Sequence, residues 1–183
     1  RDWGVMAMEN GLTAGWYVRT ASIALCMMSL GFFGVSANAG EFSVLLNGKA
    51  IHLDEQPGVH YNEKNWGLGF QYDMPANGEK WVPFVTASGF KDSNKNTSYY
   101  AGGGYVYRHK FEWGKTPMHF DAGAVAFLMT RKGFKDGDPF PGVLPALSLG
   151  TPRVAVNMTY IPKVDPKMVP LLFFQLKITL TDF

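Results

Sequence analysis

The strongest constraint on the fold is an alternation of apolar and polar residues that recurs along much of the chain. Successive side chains of a β-strand point to opposite faces, so a period of two predicts strands with one apolar face. The clearest segment, 153–160, has apolar residues at alternate positions: Val154, Val156, Met158 and Tyr160. Similar apolar stripes occur at 174–180, 120–128 and 99–107. The chain is therefore predicted to be all-β.

Turn residues divide 40–183 into about eight such stretches. Short turns are predicted at 75–78, 113–117 and 150–152, and longer polar loops at 54–63, 91–97, 132–140 and 163–168. Outer-membrane barrels combine short periplasmic turns with long outer loops, and their strands alternate. Alternation also explains why 46% hydrophobic residues give a mean hydropathy of only −0.06. We predict an eight-stranded antiparallel transmembrane β-barrel of the bacterial outer membrane.

A soluble β-sandwich or a lipocalin-like barrel would show the same periodicity. The classes differ in the direction of the apolar stripe, which faces inward in a lipocalin and toward lipid in a membrane barrel. Tyr99, Tyr105 and Tyr107 place aromatic side chains at both ends of one stripe, as an interfacial girdle requires. These aromatics favour the membrane barrel, although periodicity alone does not orient the stripe.

The N-terminal part of the chain has the features of a secretory signal peptide. The apolar run 21–35 is preceded by an arginine and followed by the small residues 36–39, which end in Ala-Asn-Ala. The run is shorter than the roughly 20 residues that a membrane-spanning helix needs. We predict an extension with a signal peptide at 1–39 and a single barrel domain at 40–183. Cleavage would remove Cys26, the only cysteine, so neither a disulfide nor thiol chemistry is expected.

Composition and motifs exclude several function classes. The formal net charge is only +2 and no basic cluster is present, which argues against nucleic-acid binding. The four histidines share no ligand spacing with cysteine or carboxylates, so no metal site is predicted. The glycine run 102–104 lies inside a predicted strand rather than before a helix, and Gly-x-Ser-x-Gly is absent. No cofactor is expected.

The stretch 139–152 carries four prolines where the alternation predicts a strand. Because proline cannot donate to a sheet hydrogen bond, the barrel should be locally unzipped there. Two interpretations stay open. The stretch is either an irregular loop or a lateral opening through which a lipid enters from the bilayer.

Polar residues at strand ends supply the candidate chemistry. His52 ends an apolar strand, and Asp92 and Ser93 lie in the loop 91–97. A histidine and a serine on neighbouring loops can act as general base and hydroxyl in acyl transfer. Considered alone, such residues are more often ordinary solvated loop residues.

Several short segments, in the same order along the chain, resemble the lipid A palmitoyltransferase PagP family. They are Tyr-Asn-Glu-Lys-Asn-Trp-Gly-Leu-Gly-Phe at 61–70, Phe-Lys-Asp-Ser at 90–93, Ala-Gly-Gly-Gly-Tyr at 101–105, Val-Leu-Pro-Ala-Leu-Ser-Leu-Gly at 143–150 and Met-Thr-Tyr-Ile-Pro at 158–162. The resemblance covers roughly residues 50–165. The second and last of these motifs are specific for their length, and together they are hard to obtain by chance.

The resemblance implies an outer-membrane barrel that moves a palmitoyl chain from the sn-1 position of a glycerophospholipid to a hydroxyacyl chain of lipid A. It assigns Asp92 and Ser93 to the family's functional Asp-Ser pair. The family's histidine corresponds to His52, with His60 as an alternative because the intervening segment is short. Phospholipid, lipid A and the outer membrane are then the expected partners, and we expect the barrel to be a monomer.

The resemblance also points to an acyl-chain pocket. Gly104 matches the glycine that sets chain length in the family, and alternation places Gly102 on the same face. Missing side chains there would leave a slot for a straight chain. Asn65 is a departure, because better-known members have proline at this position. Three cationic loop residues could hold lipid phosphates or be ordinary surface charges: Lys91, Lys95 and Arg131.

The hypothesis that follows makes His52 the general base or proton relay, Asp92 its orienter, and Ser93 a polar contact or nucleophile. Whether an acyl-enzyme forms is left open. A lipid A deacylase or outer-membrane phospholipase is the alternative enzyme. A non-catalytic lipid-binding barrel is the alternative outside catalysis.

Overall fold

The computed structural model describes residues 40–54, 61–76, 78–132, 134–163 and 169–182. The predicted signal segment 1–39, the alternative histidine His60 and the C-terminal Phe183 lie outside these residues.

The described residues form one closed antiparallel barrel. The strands, in chain order, are β1 (Glu41–His52), β2 (Lys64–Asp73), β3 (Trp81–Lys91), β4 (Thr97–Trp113), β5 (Thr116–Arg131), β6 (Phe140–Gly150), β7 (Val154–Ile161) and β8 (Leu171–Asp182). Each strand pairs with the next, and β8 pairs with β1. The prediction of an eight-stranded antiparallel barrel is confirmed. None of the described helical residues forms a helix long and apolar enough to cross a bilayer.

The apolar face of the strands points outward. Large apolar side chains are exposed around the barrel, with Trp113 76% and Val143 70% exposed. Every second residue points inward, and many of these are polar, as at Ser43 and Asn47 in β1. This orientation contradicts the lipocalin-like alternative, whose apolar stripe is buried. It matches a barrel whose outer surface contacts lipid.

The two ends of the barrel differ largely as the sequence predicted. Short turns follow β2, β4 and β6, and Gly78 and Gly114 adopt positive φ values of 83° and 67° within two of them. Glycine suits these positions because it carries no Cβ. The connections after β1, β5 and β7 are longer, whereas the connection after β3 is the short turn 92–96, contrary to the longer loop predicted at 91–97. All four lie at the opposite end, which we call the long-loop end.

The proline-rich stretch forms strand β6, so the irregular-loop interpretation is wrong. β6 pairs with β5 along its length, from Phe140 to Gly150. Its pairing with β7 is confined to Leu147–Gly150. Beyond that point, toward the long-loop end, β7 continues to pair with β8 alone. The expected local unzipping is therefore present as a break between β6 and β7.

Side chains fill the barrel toward its short-turn end. Val82, Phe84 and Val106 form a buried apolar cluster. Next to it, toward the short turns, lies a buried ionic cluster in which the Arg108 guanidinium donates hydrogen bonds to three carboxylates: Glu41, Asp73 and Asp121. The Lys177 ammonium also donates to Asp73. An eight-stranded barrel is just wide enough for its own side chains, so this cluster fills the barrel at its level. A separate pocket, lined by Asp73, Val82 and Arg108, opens toward the short turns.

Candidate functional site

Two elements at the long-loop end bring His52 and Ser93 together. His52 is the last residue of β1, and Ser93 lies in the connection between β3 and β4. The His52 Nε2 atom is 3.1 Å from Ser93 Oγ, within hydrogen-bonding distance. The His52 ring stacks on Tyr61 at a centroid distance of 4.5 Å, which holds the imidazole plane. An imidazole nitrogen and a hydroxyl at this distance can exchange a proton.

Asp92 shapes the turn that carries Ser93. Its Oδ1 atom accepts hydrogen bonds from the backbone N–H groups of Asn94 and Asn96, both at 2.9 Å. Its Oδ2 atom accepts the Ser98 hydroxyl at 3.3 Å. Lys95, in the same turn, adopts a φ of 63°, a left-handed conformation that needs such support in a residue other than glycine. The carboxylate thereby fixes the conformation of the Ser93 loop.

Two asparagines connect this turn to β2. The Asn62 backbone N–H donates to the Ser93 carbonyl at 2.9 Å, and its side-chain amide donates to the Asp92 carbonyl at 3.1 Å. The Asn65 amide donates to the Lys91 carbonyl at 2.7 Å, and Asn65 is only 2% exposed. Asn65 is thus a buried residue that supports the strand end leading into the site loop.

Arg131 approaches the same turn from β5. Its Nε atom is 3.4 Å from Asp92 Oδ2, and its side chain is 24% exposed. The other two cations considered from the sequence are exposed, and the Lys91 ammonium donates to the Thr97 hydroxyl at 2.8 Å. Of these three cations, only Arg131 forms an ion pair with the turn that carries Asp92 and Ser93.

A cavity extends from this turn into the barrel. Asp92, Ser93 and Arg131 line its mouth. Its walls are mainly apolar and aromatic side chains: Phe90, Phe127, Met129, Ile161, Leu171 and Phe173. Phe84 and Val125 line its inner part. Such a surface suits a hydrocarbon chain.

Gly102 and Gly104 face the interior, as alternation predicts, but the space beside them is occupied. A Cβ added at Gly104 would lie 2.8 Å from Phe84 Cζ and would also meet the Ala124 carbonyl oxygen. A Cβ at Gly102 would meet the Ala126 carbonyl oxygen and, at 2.7 Å, the Cα and Cβ atoms of Phe127. Gly104 therefore lies against the ring of Phe84, which lines the inner part of the cavity, while Gly102 lies against the backbone of β5. The simpler expectation of an empty slot beside the glycines needs this correction.

Sequence reasoning did not predict three features of the site: the hydrogen bonds from Asn62 and Asn65 to the site loop, and the position of Phe84 at the inner part of the cavity. Phe84 could have been found, since it shares a face with Val82 and Thr86 in an alternating strand. Nothing in the sequence signals that Asn62 would donate to a loop some 30 residues away. Among the described residues, no group of three or more His, Cys, Asp or Glu side chains is placed to hold a metal ion.

Fold and site together define a class: a closed barrel with a lipid-facing exterior and an imidazole–hydroxyl pair at the mouth of an apolar cavity. Residues 44–175 match the family model described as "Antimicrobial peptide resistance and lipid A acylation protein PagP". The chain belongs to this family, which confirms the resemblance seen in its motifs.

Three relatives are each named "Lipid A acyltransferase PagP". The protein of Methylobacillus flagellatus is 33% identical over 106 residues, covering 56% of this chain and 53% of its own. Those of Sodalis glossinidius and Musicola paradisiaca are 32% and 30% identical over 117 and 102 residues. The alignments cover 60% and 56% of this chain, and 56% and 52% of the relatives. The chain thus spans about half the length of the curated relatives it matches.

Two solved structures of the outer-membrane protein Ail from Yersinia pestis also align with the chain. The structure in a phospholipid bilayer nanodisc aligns with a TM-score of 0.40 and 12% identity, over 77% of this chain and 99% of its own. The crystal structure aligns with a TM-score of 0.41 and 13% identity, over 79% and 98%.

Proposed function

We propose that this chain is a lipid A acyltransferase of the bacterial outer membrane. It moves a palmitoyl chain from the sn-1 position of a glycerophospholipid to a hydroxyacyl chain of lipid A. The observation that carries this proposal is the 3.1 Å contact between His52 and Ser93 at the mouth of an apolar cavity. Membership of the family supports the reaction class.

The reaction requires the removal of one proton and the stabilisation of one oxyanion. The lipid A hydroxyl attacks the ester carbonyl of the phospholipid, and its proton passes to His52, which returns it to the departing glycerol oxygen. A positioned general base of this kind contributes typically 10²–10⁴-fold to the rate. Ser93 acts as a polar contact for the reacting oxygen or as a nucleophile that carries the chain transiently.

In this mechanism, Asp92 acts through the loop rather than through the histidine ring. Its carboxylate accepts two backbone N–H groups and the Ser98 hydroxyl, and it faces Arg131. These contacts place Ser93 against His52. We therefore assign Asp92 the role of a positioning residue.

The cavity is the proposed site of the transferred chain. Burial of apolar surface stabilises a bound chain by about 0.8 kcal/mol per methylene, so a long alkyl chain binds there without polar contacts. The outward apolar surface supports a location in the outer membrane, where phospholipid and lipid A are both available. We propose that the barrel acts as a monomer.

The decisive experiment incubates the folded full-length chain with phospholipid and lipid A, followed by mass spectrometry of lipid A. The wild type should add one acyl chain to lipid A. His52→Ala and Ser93→Ala should each lower the rate by about 10²–10⁴-fold, because each removes one member of the proton-transfer pair. His109→Ala is the matched control, since His109 is exposed near the short-turn end.

Each other outcome would identify an alternative. Release of free fatty acid without a gain on lipid A would favour a deacylase or phospholipase. Binding of lipid without either product would favour a non-catalytic barrel. Unchanged transfer in both variants would refute the assignment of His52 and Ser93.

A further inference from the structure

We propose that Arg131 binds a lipid phosphate at the mouth of the cavity. This inference rests on the proposed function, since it names the headgroup chemistry of a lipid whose acyl chain enters the same cavity. The donor phospholipid carries a phosphodiester a few bonds from its sn-1 ester. Arg131 would hold that phosphate while the ester carbonyl lies against Ser93 and His52.

The first argument is the contrast between two arginines inside the same barrel. The guanidinium of Arg108 donates five hydrogen bonds, at 2.8 to 3.2 Å, to three carboxylates. Arg131 makes an ion pair with Asp92 at 3.4 Å, and within the described part of the chain none of its guanidinium N–H groups forms a hydrogen bond. A guanidinium has five N–H donors in a fixed fork. The protein engages four of the five N–H groups of the Arg108 guanidinium, whereas the guanidinium N–H groups of Arg131 remain for a ligand.

The second argument is location. The Arg131 side chain is only 24% exposed, yet it lines the mouth of the cavity together with Asp92 and Ser93. Its ion pair with Asp92 holds the guanidinium beside the residue that precedes Ser93. A phosphate bound there belongs to a lipid whose acyl ester can reach the His52–Ser93 pair. Arginine suits this task because its planar fork matches two phosphate oxygens.

The competing interpretation is that Arg131 only neutralises the buried carboxylate of Asp92. In that case substitution of Arg131 would loosen the Ser93 turn and lower the affinity for every lipid by the same factor. A phosphate-binding role predicts instead that the effect depends on whether the lipid carries a phosphate. The two interpretations therefore separate in a comparison of matched lipids.

The test measures binding of two ether lipids that cannot be cleaved, dihexadecyl phosphatidylglycerol and dihexadecylglycerol, to the full-length chain folded in detergent. The first carries a phosphodiester and the second does not. Arg131→Gln should raise the Kd for the phospholipid by about tenfold, the typical effect of a lost charge-assisted hydrogen bond. Its Kd for dihexadecylglycerol should change less than about twofold, on the same scale. Arg131→Lys should recover part of the affinity, since it keeps the charge but not the fork.

Lys132→Gln is the matched control, because Lys132 is the exposed neighbour of Arg131 in the chain. It should leave both Kd values unchanged. Competition with lipid A and with dephosphorylated lipid A identifies the source of the phosphate. Loss of affinity in Arg131→Gln only for phosphorylated lipid A would place the acceptor phosphate at this residue.

An equal loss of affinity for lipids with and without phosphate would overturn the proposal, and so would no loss for either. These results do not depend on catalysis. Absence of acyl transfer by the wild type would count against the proposed function, while the ratio of the two Kd values would still decide the role of Arg131.

Discussion

Asp92 contributes to the candidate site through the conformation of the turn that carries Ser93. The sequence hypothesis made it the orienter of the histidine. In the structure its two oxygens accept the N–H groups of Asn94 and Asn96 and the Ser98 hydroxyl, and one faces Arg131. The carboxylate stabilises the turn that presents Ser93, and the histidine plane is held by stacking on Tyr61.

At the residue scale, the identity of Phe84 should decide how long a chain the cavity accepts. Phe84→Ala removes the ring that forms the inner wall, so the acyl chains transferred from a mixed donor pool should become longer. Gly104→Ala should shift them toward shorter chains, because its Cβ pushes the Phe84 ring inward. Mass spectrometry of acylated lipid A measures the chain distribution.

Phe120→Ala is the control for this experiment, since Phe120 is 42% exposed on the outer surface. Truncation of a buried phenylalanine typically costs 3–5 kcal/mol, so each variant is first checked for folding by its unfolding midpoint in urea. An unchanged chain distribution in folded Phe84→Ala and Gly104→Ala would show that another surface sets the length.

The site residues were predictable only to the extent that a motif or a loop position marked them. His52, Asp92 and Ser93 could be named as candidates because polar side chains at strand ends coincided with a recognisable Asp-Ser motif, and their roles stay predictions. Asn62 could not be named, because an asparagine in a loop is common and its partner lies about 30 residues away. The contact depends on the pairing of β2 with β3, which brings Asn62 beside the turn after β3. No local sequence pattern specifies this pairing.

At the element scale, the break between β6 and β7 follows from backbone chemistry. Pro141 and Pro145 pair with Leu128 and Ala124 of β5, so β6 is held on that side. Proline has no N–H to offer to β7. The sequence predicted the interruption correctly. It left the choice between loop and opening undecided because β5 pairing could not be foreseen from the prolines themselves.

A cross-link across this break should slow acyl transfer if lipids pass through it. Extending the register of Leu147 opposite Met158 places Pro145 opposite Tyr160. In a Cys26→Ser background, Pro145→Cys with Tyr160→Cys should lower the transfer rate when oxidised and recover on reduction. The measurement is the rate of lipid A acylation before and after reduction with dithiothreitol.

The matched control joins two strands that are paired throughout. Ala101 and Leu128 are partners in β4 and β5, so Ala101→Cys with Leu128→Cys should show the same rate in both redox states. Equal rates for the oxidised and reduced β6–β7 cross-link would argue that lipids reach the cavity by another route.

At the scale of the whole molecule, alternation with period two predicted the strands, and the barrel followed only when loop lengths, aromatic positions and family motifs were added, since a β-sandwich has the same period. The alternation could not say which face points into the barrel, because a single strand with one apolar and one polar face fits either orientation. The answer came from closure. Eight strands enclose polar side chains and the ionic cluster of Arg108, and this leaves the apolar stripes outside.

An arginine placed in the middle of the outer surface tests this orientation. Ala124 is exposed at the centre of the outward stripe of β5. In a bilayer, Ala124→Arg should lower the free energy of unfolding by about 2–4 kcal/mol, the cost of a cation near the membrane midplane. Urea unfolding in phosphatidylcholine vesicles measures the change.

Glu79→Arg, in the short turn after β2, should have little effect by comparison because the turn is exposed to water. Equal stability of Ala124→Arg and the wild type in vesicles would mean that this face does not contact lipid.

The packed short-turn end makes the cavity a dead end. The buried cluster of Arg108, Asp73 and Asp121 fills the barrel at the inner end of the cavity, where Asp121 lines it, so an alkyl chain that enters at the long-loop end or through the β6–β7 break has to leave by the same way. The acyl chains of the donor and of the acylated product would then compete for the same cavity. Product release would then limit the turnover rate. Accumulated acylated lipid A would inhibit the reaction competitively with respect to the donor.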